Sequence, residues 1–166
     1  MKYAIVYSSQ TGNTKMLAST IQETLNADDC LYVGAPSEKA LSADLIFAGF
    51  WTDKGQCNEE TAAFLKTISN QKVFLFGTAG FGGNPAYFDQ IIEKVKGLLN
   101  PEAEVIGSYM CQGKMPMSVR ARYEKMQGKP GLPFDVDLMI KNFDLALPHP
   151  DTQDLEELKK ALQKFL

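Results

Sequence analysis

Short apolar runs alternate with amphipathic stretches along the 166-residue chain. Five runs are rich in β-branched, aromatic and aliphatic residues and predict strands at residues 3–7, 31–33, 45–50, 73–76 and 105–110. Apolar residues recur at helical spacing within residues 16–25, 63–68, 87–95 and 155–165, which predicts four amphipathic helices. Strands that alternate with helices indicate a parallel sheet covered on both faces.

The order of these elements predicts an α/β fold with a doubly wound, five-stranded parallel sheet of strand order 2-1-3-4-5. Ligands of such sheets bind outside the carboxyl ends of the strands, near the point where the strand order reverses. Three unusual segments follow strand ends, at residues 8–14, 50–58 and 77–85. We expect these three loops to form the functional site.

Residues 112–150 depart from the simple alternation, because five prolines punctuate them. Short helices are predicted over residues 118–126 and 136–143. No internal repeat or low-complexity linker separates this part from the rest of the sequence. We therefore expect a single domain over residues 1–166 with an elaboration at about residues 112–150.

Composition and charge exclude several classes of function. The hydrophobic content of 45% and charged content of 22% are ordinary for a water-soluble domain. The net charge of −3 offers no footprint for nucleic acid, and no apolar run approaches the roughly 20 residues that span a bilayer. Cys30, Cys57 and Cys111 are widely spaced, which argues against a metal site or a disulfide framework. We expect a cytoplasmic monomer that binds neither nucleic acid nor membrane.

The first loop connects the first strand to the first helix. Its hydroxyl and amide groups lie beside a helix N-terminus, whose dipole and free N–H groups attract anions. No lysine or arginine lies within it, so a bound anion would be held by neutral donors. The same residue types also suit an ordinary helix N-cap. The candidate anion-binding residues are Ser9, Gln10, Thr11, Gly12, Asn13 and Thr14.

The second loop holds the single tryptophan of the chain. An indole at the end of a strand suits stacking on a flat heterocycle, although it also suits a core position that caps the sheet. Gly55 gives the loop access to more than one backbone conformation. The candidate binding residues here are Trp51, Thr52, Asp53, Lys54 and Gly55.

The third loop carries four glycines within residues 77–83. Such a run exposes backbone N–H groups with little obstruction by side chains, and Phe81 is placed to pack on a flat ring. The run is not Gly-x-Gly-x-x-Gly, and Gly-Lys-Ser/Thr is absent, so neither a Rossmann dinucleotide fingerprint nor a P-loop fits. The candidate binding residues are Thr78, Ala79, Gly80, Phe81, Gly82 and Gly83.

The pattern Ser/Thr-x-Thr-Gly-x-Thr after the first strand, followed by two such loops in this order, resembles the flavodoxin family. The resemblance covers roughly residues 1–111. It implies that FMN binds without a covalent bond, with its phosphate on residues 9–14 and its ring between residues 51–56 and 78–83. It also implies electron transfer between redox partner proteins. The third loop lacks the carboxylates that many flavodoxins have, which should stabilise the anionic reduced flavin.

Two other functions compete with this interpretation. An NAD(P)H-dependent flavin or quinone reductase of the same fold is the first. A response-regulator receiver is the second, but Ser8 and Ser9 occupy the place where a receiver has an acidic pair.

A basic stretch in the elaboration has three possible roles: steering an acidic redox partner, holding an anionic substrate, or forming a solvated helix face. Methionines and a tyrosine are interleaved in it, and methionine gives adaptable apolar contact. Its charged residues are Lys114, Arg120, Arg122, Lys125 and Lys129.

Overall fold

The computed structural model describes residues 1–82 and 84–165, and strands and helices alternate through them. The strands are β1 (Tyr3–Tyr7), β2 (Cys30–Gly34), β3 (Leu45–Asp53), β4 (Gln56–Cys57), β5 (Lys72–Ala79) and β6 (Glu104–Gln112). The α-helices are α1 (Asn13–Thr24), α2 (Glu59–Leu65), α3 (Pro85–Lys96), α4 (Met117–Met126), α5 (Val136–Ala146) and α6 (Thr152–Gln163). Short 3-10 helices lie at Ala27–Asp29 and Glu38–Ser42.

Five strands form a parallel sheet of order β2-β1-β3-β5-β6, and the two-residue β4 pairs back on the end of β3. Apart from β4, this is the predicted order 2-1-3-4-5, so the predicted fold class is confirmed. Tyr7 pairs with Gly49, Gly49 with Phe76, and Phe76 with Tyr109. This register brings the carboxyl ends of β1, β3, β5 and β6 to one edge of the sheet.

The sheet separates two apolar cores, because alternate residues of each buried strand point to opposite faces. On one face, α2 and α3 cover strand residues that include Val6, Ile46, Phe50 and Leu75. On the other face, α1 and α6 cover strand residues that include Ile5, Phe47, Phe74 and Phe76. All eight of these residues are at most 2% exposed, so the predicted burial of the sheet on both faces is confirmed.

Several strands run further than the sequence pattern predicts, and the extensions of β3 and β5 change the predicted loops. Trp51 extends β3 by pairing with Thr78 of β5, and Thr52 and Asp53 extend it by pairing with β4 in a hairpin. Residues 77–79 extend β5 because they pair with β6. The loop boundaries at residues 50 and 77 were therefore wrong. The residues expected in loops that lie in strands instead are Trp51, Thr52, Asp53, Gln56, Cys57, Gly77, Thr78 and Ala79.

Between β6 and α6, the chain forms α4 and α5, close to the two helices predicted there. The guanidinium of Arg120 on α4 donates two hydrogen bonds to the carboxylate of Asp144 on α5, over 2.9 and 3.1 Å. Arg120 also pairs with Glu124 on its own helix. Within residues 1–82 and 84–165, every helix is too short or too polar to cross a bilayer.

Gly77 packs against a buried ring, so a substitution at this glycine tests the packing of the central sheet. A β-carbon at this position would come within 3.0 Å of ring atoms of Phe50, its neighbour on β3. Overpacking of this kind costs about 1–3 kcal/mol. We expect Gly77→Ala to lower the free energy of unfolding by that amount in a urea titration. Ser108→Ala, at an exposed position on β6, is the control that should change it little. Equal stability of the Gly77→Ala variant and the parent would contradict the close packing.

Candidate functional site

Two adjoining cavities lie at the carboxyl edge of the sheet, and Thr52, Gly80 and Met115 line both of them. The inner cavity, of about 60 Å³, brings together all three segments predicted from the sequence. Its lining from those segments is Gln10, Thr11, Asn13, Trp51, Thr52, Thr78, Ala79 and Gly80. The outer cavity, of about 330 Å³, is lined in addition by Lys54, Gly55, Phe81 and Tyr87.

Helix α1 begins beside the inner cavity with no side-chain cap at its N-cap residue, Gly12. The backbone N–H of Lys15 donates to the Ser9 hydroxyl over 3.3 Å, which satisfies one donor of the first turn. The N-terminus of a helix carries partial positive charge and N–H groups without intrahelical partners. This end of α1 is therefore suited to an anion.

The hydroxyls of two predicted binding residues form hydrogen bonds within the protein. The Thr14 hydroxyl donates to the carbonyl of Phe50 over 3.1 Å, and the Thr78 hydroxyl lies 3.2 Å from the Thr14 oxygen. Both threonines are at most 3% exposed. Their hydroxyls join the start of α1 to the ends of β3 and β5, so they hold the walls of the cavity in place.

The carbonyl of Lys114 links the first loop to the segment that follows β6. It accepts hydrogen bonds from the Asn13 amide over 2.8 Å and from the Thr11 hydroxyl over 3.3 Å. Gly113 packs on the Asn13 side chain so closely that a β-carbon there would lie within 3.0 Å of it. Residues more than 100 positions apart thus share one wall of the site.

Two buried oxygens on residues that line the inner cavity have no hydrogen-bond partner among the described residues. They are Oδ1 of Asn13, a residue that is 7% exposed, and Oγ1 of Thr52. Burial of a polar atom without a partner costs free energy, and such atoms are rare in proteins. Both residues line the inner cavity, so a ligand with hydrogen-bonding groups would satisfy both atoms there.

The β3–β4 hairpin forms another wall. Lys54 and Gly55 are the two residues of its turn, and both have positive φ, 52° and 76°, as two-residue hairpins of type I′ require. Trp51, just before the turn, is half-buried and lines the inner cavity. Gly55 also lies near the ammonium of Lys94 on α3, so the turn has two lysines close to it.

The third loop is held by amides from later in the chain. Nε2 of Gln112 donates to the Gly80 carbonyl over 3.0 Å, and Nδ2 of Asn142 donates to the same oxygen over 3.1 Å. Because C=O and N–H point in opposite directions across a trans peptide, the N–H of Phe81 points away from these amides. The side chain of Phe81 is 38% exposed at the outer cavity. Gly82 packs on Gln112, and Gly83 lies outside the described residues.

Burial keeps two thiols and one phenol near this edge in their neutral forms. Burial raises the pKa of the Cys57 thiol to about 12, and burial together with the charge of Asp154 raises that of Cys111 further. Burial also raises the pKa of Tyr87. The cysteines therefore lack the thiolate that nucleophilic or redox chemistry requires.

His149, Asp151 and Asp154 form the one cluster within residues 1–82 and 84–165 whose spacing would suit a metal ion. Nδ1 of His149 lies 2.6 Å from Oδ2 of Asp154, and Asp151 and Asp154 form the capping box of α6. Their hydrogen bonds thus account for the cluster as a helix cap.

Sequence reasoning named only Lys114, as part of the basic stretch, among the residues that the elaboration brings to the site. Gly113, Lys114, Met115 and Pro116 line the inner cavity, and Asn142 reaches Gly80 from α5. Only the position of residues 112–116, directly after a strand that ends at the ligand side, gave a signal for the first four. Nothing in the sequence pattern distinguishes Asn142, because its role depends on how α5 packs.

The flavodoxin domain model matches residues 4–163, which includes the elaboration. The flavodoxin-like domain-containing protein BilS of Clostridium symbiosum (strain WAL-14163) is 38% identical over an alignment that covers 100% of this chain and 94% of that protein. The resemblance seen in residues 1–111 therefore extends over nearly the whole sequence.

Solved structures share the fold. Oxidised flavodoxin 2 from Bacillus cereus has a TM-score of 0.55 and 20% identity, with 99% of this chain and 100% of that chain covered. The NADH:FMN oxidoreductase EMOB has a TM-score of 0.56 and 16% identity, with 99% and 88% covered. At these identities the likeness concerns the fold alone. With the family match over residues 4–163 and the relative at 38% identity, however, the chain belongs to the flavodoxin domain family.

Proposed function

We propose that this protein binds FMN without a covalent bond at the carboxyl edge of its sheet and transfers electrons between redox partner proteins. The observation that carries the proposal is the pair of buried oxygens without partners, Asn13 Oδ1 and Thr52 Oγ1, in one cavity beside the N-terminus of α1. In a member of the flavodoxin domain family, the N-terminus of α1 matches the phosphate of FMN, and the two oxygens match the hydroxyl donors of its ribityl chain. The flat ring of FMN matches the aromatic residues beside the two cavities.

The residues of the site fit the three parts of this cofactor. The N-terminus of α1 suits the phosphate, and Asn13 Oδ1, an acceptor, suits a ribityl hydroxyl rather than the phosphate. Trp51 and Phe81 offer aromatic surfaces beside the two cavities. When bound, FMN supplies the oxidation–reduction chemistry, and the chain supplies binding, orientation and local charge.

The charges near the hairpin support electron transfer at a mild potential. Lys54 lines the outer cavity, and the ammonium of Lys94 lies near Gly55. No carboxylate occurs in the sequence between Gly77 and Tyr87. Positive charge near a ring that gains negative charge on reduction favours the reduced form.

A docking surface for a partner lies next to the site. Phe81 at the outer cavity is 38% exposed, and Met117, which follows the cavity residue Pro116, is 62% exposed. Arg122 and Lys125 are exposed on α4. Arg120 is excluded from this role because its ion pair with Asp144 joins α4 to α5. Adaptable apolar contacts bordered by positive charge suit a redox partner with an acidic face.

The absorption spectrum of the purified protein tests the cofactor directly. We expect a flavin spectrum, and we expect mass spectrometry of the released chromophore to identify FMN. Emission from Trp51, the one tryptophan, should be quenched by FMN and should recover when FMN is removed, because the indole lines the cavity. A Trp51→Phe variant gives the background emission that does not come from tryptophan. Another chromophore, or failure of the protein to bind added FMN, would refute the proposal.

The same preparation separates the electron carrier from the reductase. A carrier should oxidise NADH or NADPH no faster than free FMN does at the same concentration. Saturable oxidation of either nucleotide, well above that background, would replace the carrier function with the reductase function while leaving the FMN site intact.

Thr52→Val tests whether the Thr52 hydroxyl serves the ligand. A buried hydroxyl without a partner costs about 1–3 kcal/mol, so replacing it by a methyl group should leave the flavin-free protein at least as stable in urea. Loss of one hydrogen bond to FMN should weaken binding by about two- to tenfold. Stability and affinity are therefore expected to change in opposite directions.

Thr61→Val is the matched control. The Thr61 hydroxyl is buried but lies 3.1 Å from the Gly49 carbonyl, and it lines neither cavity. This variant should lose about 1 kcal/mol of unfolding free energy and keep its affinity for FMN. If Thr52→Val destabilised the flavin-free protein as Thr61→Val does, or left FMN affinity unchanged, the assignment of Thr52 would be wrong.

Charge reversal on α4 tests the docking surface. We expect Arg122→Glu with Lys125→Glu to slow electron transfer from the reduced protein to ferricyanide, an anion, by at least about threefold at low ionic strength. The rate with a cationic cobalt complex should not fall, and FMN affinity should not change. Stopped-flow absorbance measures both rates.

The control for this experiment is Lys39→Glu with Lys72→Glu, which makes the same change in net charge. Lys72 begins β5 at the opposite edge of the sheet, and Lys39 lies in the turn that precedes β3. Equal slowing by both pairs would show a general charge effect and would remove the docking role of α4.

A further inference from the structure

Hydrogen bonds join the backbone of Gly113 and Lys114 to three other parts of the fold. The N–H of Gly113 donates to the Ala79 carbonyl over 2.9 Å, and the N–H of Lys114 donates to the His149 carbonyl over 2.9 Å. The Lys114 carbonyl accepts from Asn13 and Thr11 of the first loop. The backbone from which the Lys114 side chain extends is therefore held beside the loop that precedes α1.

Lys114 is the one charged residue among the described residues that line the inner cavity. Its side chain is exposed, and no salt bridge involves it within residues 1–82 and 84–165. Its flexible four-carbon stem and three donors suit a phosphate, which lysine binds as a point charge. Lys114 thus brings to the lining of this cavity a cation without a salt-bridge partner among the described residues.

Three of the neutral side-chain donors that the sequence offers for an anion are engaged within the protein. The Thr11 hydroxyl and the Asn13 amide donate to the Lys114 carbonyl, and the Thr14 hydroxyl donates to Phe50. A phosphate monoester carries a charge of about −1.5 to −2 at pH 7. The neutral donors of this loop that bond to no other described residue are the Ser9 hydroxyl, which only accepts from Lys15, and the Gln10 amide, together with N–H groups at the start of α1. None of these groups carries a full positive charge, whereas Lys114 in the same cavity lining does.

We infer that Lys114 is the residue that binds the phosphate of FMN through its ammonium, and that it gives the site its preference for FMN over riboflavin. This inference rests on the proposed function, that FMN binds at this edge. It replaces the sequence expectation that only neutral donors hold the anion. The first loop then acts through its backbone N–H groups and the free donors of Ser9 and Gln10, while Thr11 and Asn13 position the Lys114 segment.

Lys114→Met tests the inference without disturbing the loop. Thr11 and Asn13 bind the backbone carbonyl of residue 114, so removal of the ammonium leaves the acceptor of those hydrogen bonds in place. We expect the dissociation constant for FMN, from fluorescence titration of the flavin-free protein, to rise on the order of tenfold to a hundredfold. The dissociation constant for riboflavin should change less than about twofold, since riboflavin lacks the phosphate.

Lys15→Met is the matched control, because Lys15 is exposed in the first turn of α1 but does not line the cavity. It should leave FMN affinity within about twofold of the parent, and Lys114→Arg should restore most of the affinity lost in Lys114→Met. Raising the salt concentration should weaken FMN binding by the parent more than by Lys114→Met.

The outcomes separate the inference from the function on which it rests. If the parent binds neither FMN nor riboflavin, the proposed function fails. If the parent binds FMN and Lys114→Met binds it equally well, or loses FMN and riboflavin to the same degree, only the role of Lys114 is overturned. If Lys15→Met lost as much FMN affinity as Lys114→Met, the effect would come from the general charge around α1. That result would also overturn the role of Lys114.

Discussion

Parallel pairing of β3 with β1 and β5 is the constraint on which the site depends. Because all strands of a parallel sheet end at the same edge, segments that are far apart in sequence meet there. β3 and β5 then continue in register as far as the pair Trp51–Thr78. The part of the cavity wall formed by Trp51, Thr52, Thr78 and Ala79 therefore consists of paired strands, which are more rigid than the loops that form the rest.

Polar groups at this edge divide into those that build the site and those left for a ligand. The hydroxyls of Thr14 and Thr78 bond within the protein, so they stabilise the junction of α1 with the sheet. Oxygens of Asn13 and Thr52 are buried without partners, which lowers the stability of the chain by itself. Such a cost is expected where binding supplies the missing hydrogen bonds.

The elaboration after β6 is part of the site rather than an addition beside it. Gln112 and Asn142 hold the carbonyl of Gly80, and the Lys114 carbonyl joins the first loop. Met115 lines both cavities. The same segment continues into α4, so it connects the flavin site that we propose with the surface that we propose for partner docking. The family match over residues 4–163 is consistent with this shared architecture.

The sequence by itself determined the strand order and the three segments of the site, because hydrophobic periodicity and the placement of polar residues at strand ends are local patterns. It did not determine where β3 and β5 end, since Trp51 and Thr78 are kept in strands by pairing with distant residues. The hydrogen-bond partner of Thr11 and Asn13 could not be predicted from the sequence either. The carbonyl that they bind belongs to Lys114, more than 100 residues away. A backbone acceptor has no residue type to signal it, so only the tertiary structure decided which donors are engaged and which cation faces the cavity.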